Sequence, residues 1–176
     1  MKTRRLDMDT MKAILERRSI RKYTDAPIDK AQINEILKAG MYAPSGGNAQ
    51  PWDFVVVTDK DILNKITEVH PYAGALKGAA AAIIVCGNKE KEKFQDLWIQ
   101  DCSAATMNML LAAQNLEIGT VWLGLYPEME RVEGVQSLLN LPEHITPFSA
   151  VALGHPAESR PVPERFDANN IHYNGW

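Results

Sequence analysis

Cysteine is scarce in this chain: Cys86 and Cys102 are the only two among 176 residues. Two thiols build no disulfide framework, and no C-x-x-C or Cys/His ligand spacing accompanies them. A reduced, cytoplasmic setting is expected. An excess of one charge is also lacking. Nineteen Lys and Arg against 22 Asp and Glu leave a formal net charge of -3, so no global basic field invites nucleic acid. Long apolar runs are missing too. Ala79–Val85 is far too short to cross a bilayer, and the charged Met1–Arg5 segment precedes no apolar stretch of the signal-peptide kind. A soluble protein with no membrane partner is expected. His70, His144, His155 and His172 show no i, i+4 spacing, which argues against a metal centre. No G-x-G-x-x-G follows a strand, and there is no P-loop, H-E-x-x-H or G-x-S-x-G. Cys102 with His144 or His155 would suit a thiol–imidazole pair. The thiol, however, falls in an apolar helical run, where an inert packed cysteine is expected.

What is present reads as one domain over residues 1–176, with 154–176 as an extended arm. Met11, Ile14 and Leu15 mark a first helix capped by Asp9 or Thr10. Asp29 and Gln32 stand at capping-box spacing before the stripe Ile33, Ile36, Leu37 and Met41. Strands are predicted at Asp53–Thr58, Ala80–Cys86, Thr120–Leu125 and Phe148–Leu153. A short helix carries Ile62, Leu63 and Ile66, and another carries Val132, Val135, Leu138 and Leu139. The segment Phe94–Leu116 is the longest helical candidate. It is apolar on most sides, as a nearly enclosed helix would be, and Gly119 closes it. The tail carries Pro156, Pro161 and Pro163 with exposed aromatics, so it frays or lies along another surface.

Two stretches carry chemistry. Arg17, Arg18, Arg21 and Lys22 fall within six residues around Ser19 and Ile20. Guanidinium forks match phosphate oxygens, and a serine hydroxyl adds a small donor. The plain alternative is a solvated basic turn. The second stretch, Ala43–Trp52, holds Pro44, Gly46, Gly47 and Pro51 together with Ser45, Asn48 and Gln50. Glycines let backbone N–H groups approach a ligand closely. The plain alternative is an ordinary turn into the next strand.

With R-R-S-x-R, A-P-S-x-x-N-x-Q-P-W-x-F, G-T-x-W-x-G and G-x-P before a basic tail in this order, the chain resembles the small branch of the nitroreductase family. The resemblance runs nearly end to end. It implies an α+β sandwich, with a central mixed, mostly antiparallel sheet flanked by helices. It implies a homodimer with FMN at the interface and the C-terminal extension wrapping the partner subunit. Arg17, Ser19 and Arg21, with Ile20 in the same segment, would hold the FMN phosphate, and Arg18 would lie at the ribityl chain or ring edge. Pro44 and Ser45 would come from the other subunit, with Asn48 and Gln50 nearby on that loop. Trp122, Leu123 and Gly124 would line the isoalloxazine. Arg165 would return from the tail to the phosphate, with Arg160 as second candidate. Larger members place an asparagine and a lysine by the flavin pyrimidine edge, where this chain has Tyr72 and Ala75, with Lys77 close by.

The implied activity is hydride transfer from NADH or NADPH through flavin N5 to an electron-poor acceptor (a nitroaromatic, quinone or enone) in ping-pong order. The alternatives are a related FMN enzyme performing reductive dehalogenation or substrate oxidation, and a non-catalytic flavin-binding protein. The former would need a substrate lid in 69–78 or 125–141.

Overall fold

Four strands pair antiparallel in the order β1-β2-β4-β3, with β1 at Trp52–Val57, β2 at Ala81–Asn88, β3 at Gly119–Gly124 and β4 at Ile145–Gly154. The computed structural model describes residues 9–176, so the Met1–Arg5 reading lies outside the described residues. Among the described residues, five helices accompany the sheet: α1 (Thr10–Glu16), α2 (Lys30–Met41), α3 (Lys60–Val69), α4 (Trp98–Asn115) and α5 (Met129–Leu138). Successive strand residues face opposite sides, and both faces are covered. Ile83, Val85, Phe148 and Val151 meet Ile33 and Ile36 of α2 and Ala105 and Met109 of α4. Ala82, Ile84, Val121 and Leu123 meet Leu63 and Ile66 of α3 and Val132 and Val135 of α5. This is the expected α+β sandwich. Among the described residues, the parallel element of the sheet is one bridge from Ser19 to Thr120.

Local chemistry explains the helix starts. Asp9 accepts the Met11 N–H at 2.7 Å, and Gln32 Oε1 accepts the Asp29 N–H at 3.2 Å in the capping box before α2. Elsewhere the structure departs from the pattern. Helix α4 begins at Trp98 rather than Phe94, because residues 94–97 turn around Asp96, whose φ is +63°. Nor does Gly119 close α4. Glu117 adopts φ +57°, and the Ile118 and Glu117 N–H groups return to Ala113 and Gln114, a Schellman ending without glycine. On α1, Ala13 is the buried residue, whereas Met11, Ile14 and Leu15 are exposed. Met41, at the end of the α2 stripe, is exposed as well.

Gly119 has another task. It stands opposite Gly154 across β3 and β4, and both give room to the segment that follows α1. A Cβ on Gly119 would lie 2.9 Å from Ile20 Cγ2, and one on Gly154 would lie 2.5 Å from Tyr23 Cδ1. The segment is held in this trough by the Ile20 N–H on Thr120 O (2.8 Å) and the Thr24 N–H on His155 O (2.9 Å). Burial raises the Tyr23 phenol pKa, and its O–H donates to Ile20 O at 2.6 Å. Gly154→Ala is expected to cost about 1–3 kcal/mol through overpacking, measured as a lower urea midpoint at fixed protein concentration. An unchanged midpoint would mean that Tyr23 does not depend on this seat.

Candidate functional site

The trough presents Arg17–Arg21 at the foot of β3. Three backbone donors in this segment are spent: the Ile20 N–H on Thr120 O, and the Arg21 and Lys22 N–H groups on the Glu158 carboxylate. Those three groups are closed to an anion, which leaves the side chains as the main donors. Arg18 is also engaged, donating through Nε to Pro161 O at 3.0 Å and through Nη1 to Arg17 O at 2.5 Å. Arg17 is different: its Nε is buried with no hydrogen-bond partner. Burial lowers the Arg17 pKa, and the charges of Arg18 and Arg165 lower it further. Thus Arg165 lies within electrostatic reach of Arg17, whereas Arg160 is paired with Glu158 at 2.8 Å. Several guanidinium groups converge on one another with an orphaned donor among them, an arrangement that a phosphate dianion would relieve.

The second stretch forms a tight loop with a 3-10 turn at Gly46–Asn48. Gly47, Asn48 and Gln50 have φ of +56°, +53° and +50°, an uncommon region for residues with side chains. The loop's polar groups largely satisfy one another. Ser45 Oγ accepts the Gln50 N–H at 2.9 Å, and Gln50 Nε2 donates to Asn48 Oδ1 at 3.1 Å. Pro44 is exposed and Ser45 half-buried. The loop is fastened from α4 and the turn before it. Buried Asp101 accepts the Gly46 N–H at 2.9 Å, and Lys93 Nζ donates to Gly47 O at 2.8 Å. Sequence reasoning missed Asp101. It lies in the first turn of α4, where the helix dipole favours a carboxylate. An acidic residue inside an otherwise apolar helix was the available signal.

Along β3, alternation separates the expected ring-lining residues. Leu123 is buried in the α3/α5 core, so only its backbone can face a ligand. Trp122 and Gly124 share the other face and are half-buried; Trp122 packs edge-on against Phe148 at 5.8 Å, and nothing lies within 4 Å of a Cβ placed on Gly124. Arg131 Nη1 donates to Gly124 O at 3.2 Å while its guanidinium lies over the Tyr72 ring at 5.7 Å. Ala75 packs against the α3/α5 core, and Lys77 is exposed. The segments 69–78 and 125–141 are also packed down, through Ala73, Leu76, Val132 and Val135. Cys86 and Cys102 are fully buried free thiols. Burial pushes Cys86 up to about 12 and raises Cys102 as well, which suits inert packing.

The two stretches do not meet within one chain. The Ser45–Gln50 loop enters β1 beside the Trp52–Gly87–Thr146 row, whereas Ser19 sits by the Gly119–Gly154 row. Three strand spacings across the sheet and eight residues along β4 separate these corners, roughly 30 Å. A ligand touching both must take the loop from a second copy. Among the described residues, no group of three His, Cys, Asp or Glu could hold a metal, and no helix is long and apolar enough to cross a membrane.

A sequence model of the Nitroreductase family matches residues 14–70 and 67–155. The chain belongs to that family. It is 47% identical over 169 residues to the "Putative NADH dehydrogenase/NAD(P)H nitroreductase" of Methanothermobacter thermautotrophicus, covering 96% of this chain and 88% of the relative. A crystal structure of the same name from Parabacteroides distasonis superimposes with a TM-score of 0.92 at 40% identity, over 97% of this chain and all of that one (100%). The FMN-dependent nitroreductase of Clostridium difficile R20291 gives 0.87 at 29% identity, over 93% and 98% of the two chains.

The loop anchor is open to test. Asp101→Ala leaves the Gly46 N–H without its acceptor and is expected to cost about 1–3 kcal/mol of stability. Amide exchange should quicken at Gly46. Unchanged exchange there would remove Asp101 from the account of the loop.

Proposed function

We propose that this chain is an FMN-dependent NAD(P)H oxidoreductase acting as a homodimer, with each flavin site built from two copies. The observation that carries this reading is the convergence of the Arg18 and Arg165 charges on Arg17 at the foot of β3, with the Arg17 Nε donor buried and unpartnered. Arg17, Arg21 and Arg165, helped by the Ser19 hydroxyl, hold the phosphate. From there the half-open face of β3 leads over about 13 Å from Thr120 to Gly124. Trp122 and Gly124 present that face to the ring system, and Arg131 fixes the Gly124 carbonyl. Pro44 and Ser45 of a second copy close the site, which explains why so strained a loop is anchored far from the basic segment. The exposed arm, with Phe166, Tyr173 and Trp176 uncovered, wraps that second copy.

FMN, when bound, supplies hydride chemistry, accepting from NADH or NADPH and passing to an electron-poor acceptor such as a nitroaromatic, quinone or enone in ping-pong order. The chain binds and orients; no protein nucleophile is needed. The two candidate lid segments are packed on the core, so the dehalogenation and oxidation readings gain no support. Reduced, buried thiols suit a cytoplasmic enzyme.

The test is the absorbance of the dialysed protein, release of FMN on denaturation, and initial rates with NADH or NADPH against a quinone. An oxidised-flavin spectrum, about one FMN per chain and parallel reciprocal plots are expected. A protein that stays colourless after incubation with FMN would defeat the proposal, and intersecting plots would defeat the ping-pong order.

A further inference from the structure

Glu158 is the one carboxylate in direct contact with the basic segment among the described residues, and it is engaged at both oxygens. Oε1 accepts the Arg21 N–H at 2.7 Å and the Lys22 N–H at 3.3 Å, while Oε2 meets Arg160 Nη2 at 2.8 Å. Its side chain is only 13% exposed. The contact crosses 137 residues and falls where the C-terminal arm begins. Around it, Tyr23 and Pro156 form an antiparallel bridge, the Ala157 N–H reaches Lys22 O at 2.9 Å, and Arg18 holds Pro161 O. Charge-assisted bonds of this kind are the strong class of hydrogen bond.

We propose that Glu158 is a positioning residue for the anion site, latching the arm to the basic segment and withdrawing Arg160, so that Arg165 is the arm's anion ligand. The second half rests on the FMN reading; the latch does not. Two consequences follow from the geometry. With the Arg21 and Lys22 N–H groups occupied, neither can take the phosphate, and the guanidinium groups near Arg17 come from both ends of the chain. With Arg160 held by a carboxylate two residues before it, the arm's next arginine is the one whose charge acts on Arg17. The Arg21 N–H holds Glu158 below its ordinary pKa against an opposing effect of desolvation, with Arg160 and the Lys22 N–H assisting. A lowered carboxylate pKa means that the latch is in place above the ordinary carboxylate range. It is lost only as pH falls through the lowered value.

The test combines amide exchange of the full chain with FMN titration of flavin-free protein. Glu158→Ala should speed exchange at Arg21 and Lys22 and weaken FMN binding by about 10-fold. Glu158→Gln retains an acceptor oxygen and should keep most of that protection, a rescue that a merely space-filling side chain would not give. Arg165→Ala should weaken FMN by about 10- to 100-fold with exchange at Arg21 unchanged, and Arg160→Ala by less than about 3-fold. Unchanged exchange in Glu158→Ala would overturn the latch. Equal losses from Arg160→Ala and Arg165→Ala would overturn the division between the arginines. A wild-type chain that binds no FMN would overturn the underlying reading, and the exchange comparison would still decide the latch.

Discussion

An extended segment lying in a trough between two glycines is the constraint on which the rest of this structure depends. Side chains at Gly119 or Gly154 would meet Ile20 or Tyr23. Because both positions lack a Cβ, residues 19–24 can follow the edge of β3 and the start of the arm. The backbone donors of Ile20, Arg21 and Lys22 are then consumed by Thr120 and Glu158. Local bonding thus withdraws these three peptide N–H groups from any anion and leaves the guanidinium groups beside them. Burying one of several like charges is costly: burial lowers the Arg17 pKa first, and the neighbouring Arg18 and Arg165 charges lower it further.

The second constraint is distance. Antiparallel register puts the basic segment and the strained loop at opposite corners of one sheet. Each is rigidly held in its own corner, the first by the glycine trough and the second by Asp101 and Lys93. A second copy is the simplest way to bring these two corners together. The exposed apolar groups on α1 and the arm, Met11, Ile14, Leu15 and Phe166 among them, are consistent with surface that association would cover. The composite site proposed above would account for fold, strain and exposed surface together.

Much of this was legible in the sequence, for definite reasons. The apolar runs of β2 and β4 are covered on both faces, so composition alone located them, and the Asp29–Gln32 capping box marked the start of α2. The loop at Pro44–Pro51 was readable from its prolines and glycines. Other features were hidden because partners far apart in sequence decide them. Glu158 and Asp101 look like ordinary surface acids until Arg21 and Gly46 are brought beside them. The end of α4 was placed to within a residue, but its closing residue was misassigned: Glu117, not a glycine, takes the left-handed position, while Gly119 is required by a neighbour rather than by its own backbone angles. The exposure of α1 and Met41 also escaped periodicity, which reports an apolar face but not what covers it.

The central claim is that each site needs the basic segment of one copy and the loop of another. The most direct measurement is a hybrid dimer, purified with two tags, joining a chain carrying Arg17→Ala and Arg21→Ala to one carrying Ser45→Asp. Both parent homodimers should be poor in FMN and turnover. The account predicts that the hybrid regains one intact site, with about one FMN per dimer and about half the wild-type rate. A hybrid as poor as its parents would show that each chain builds its site alone.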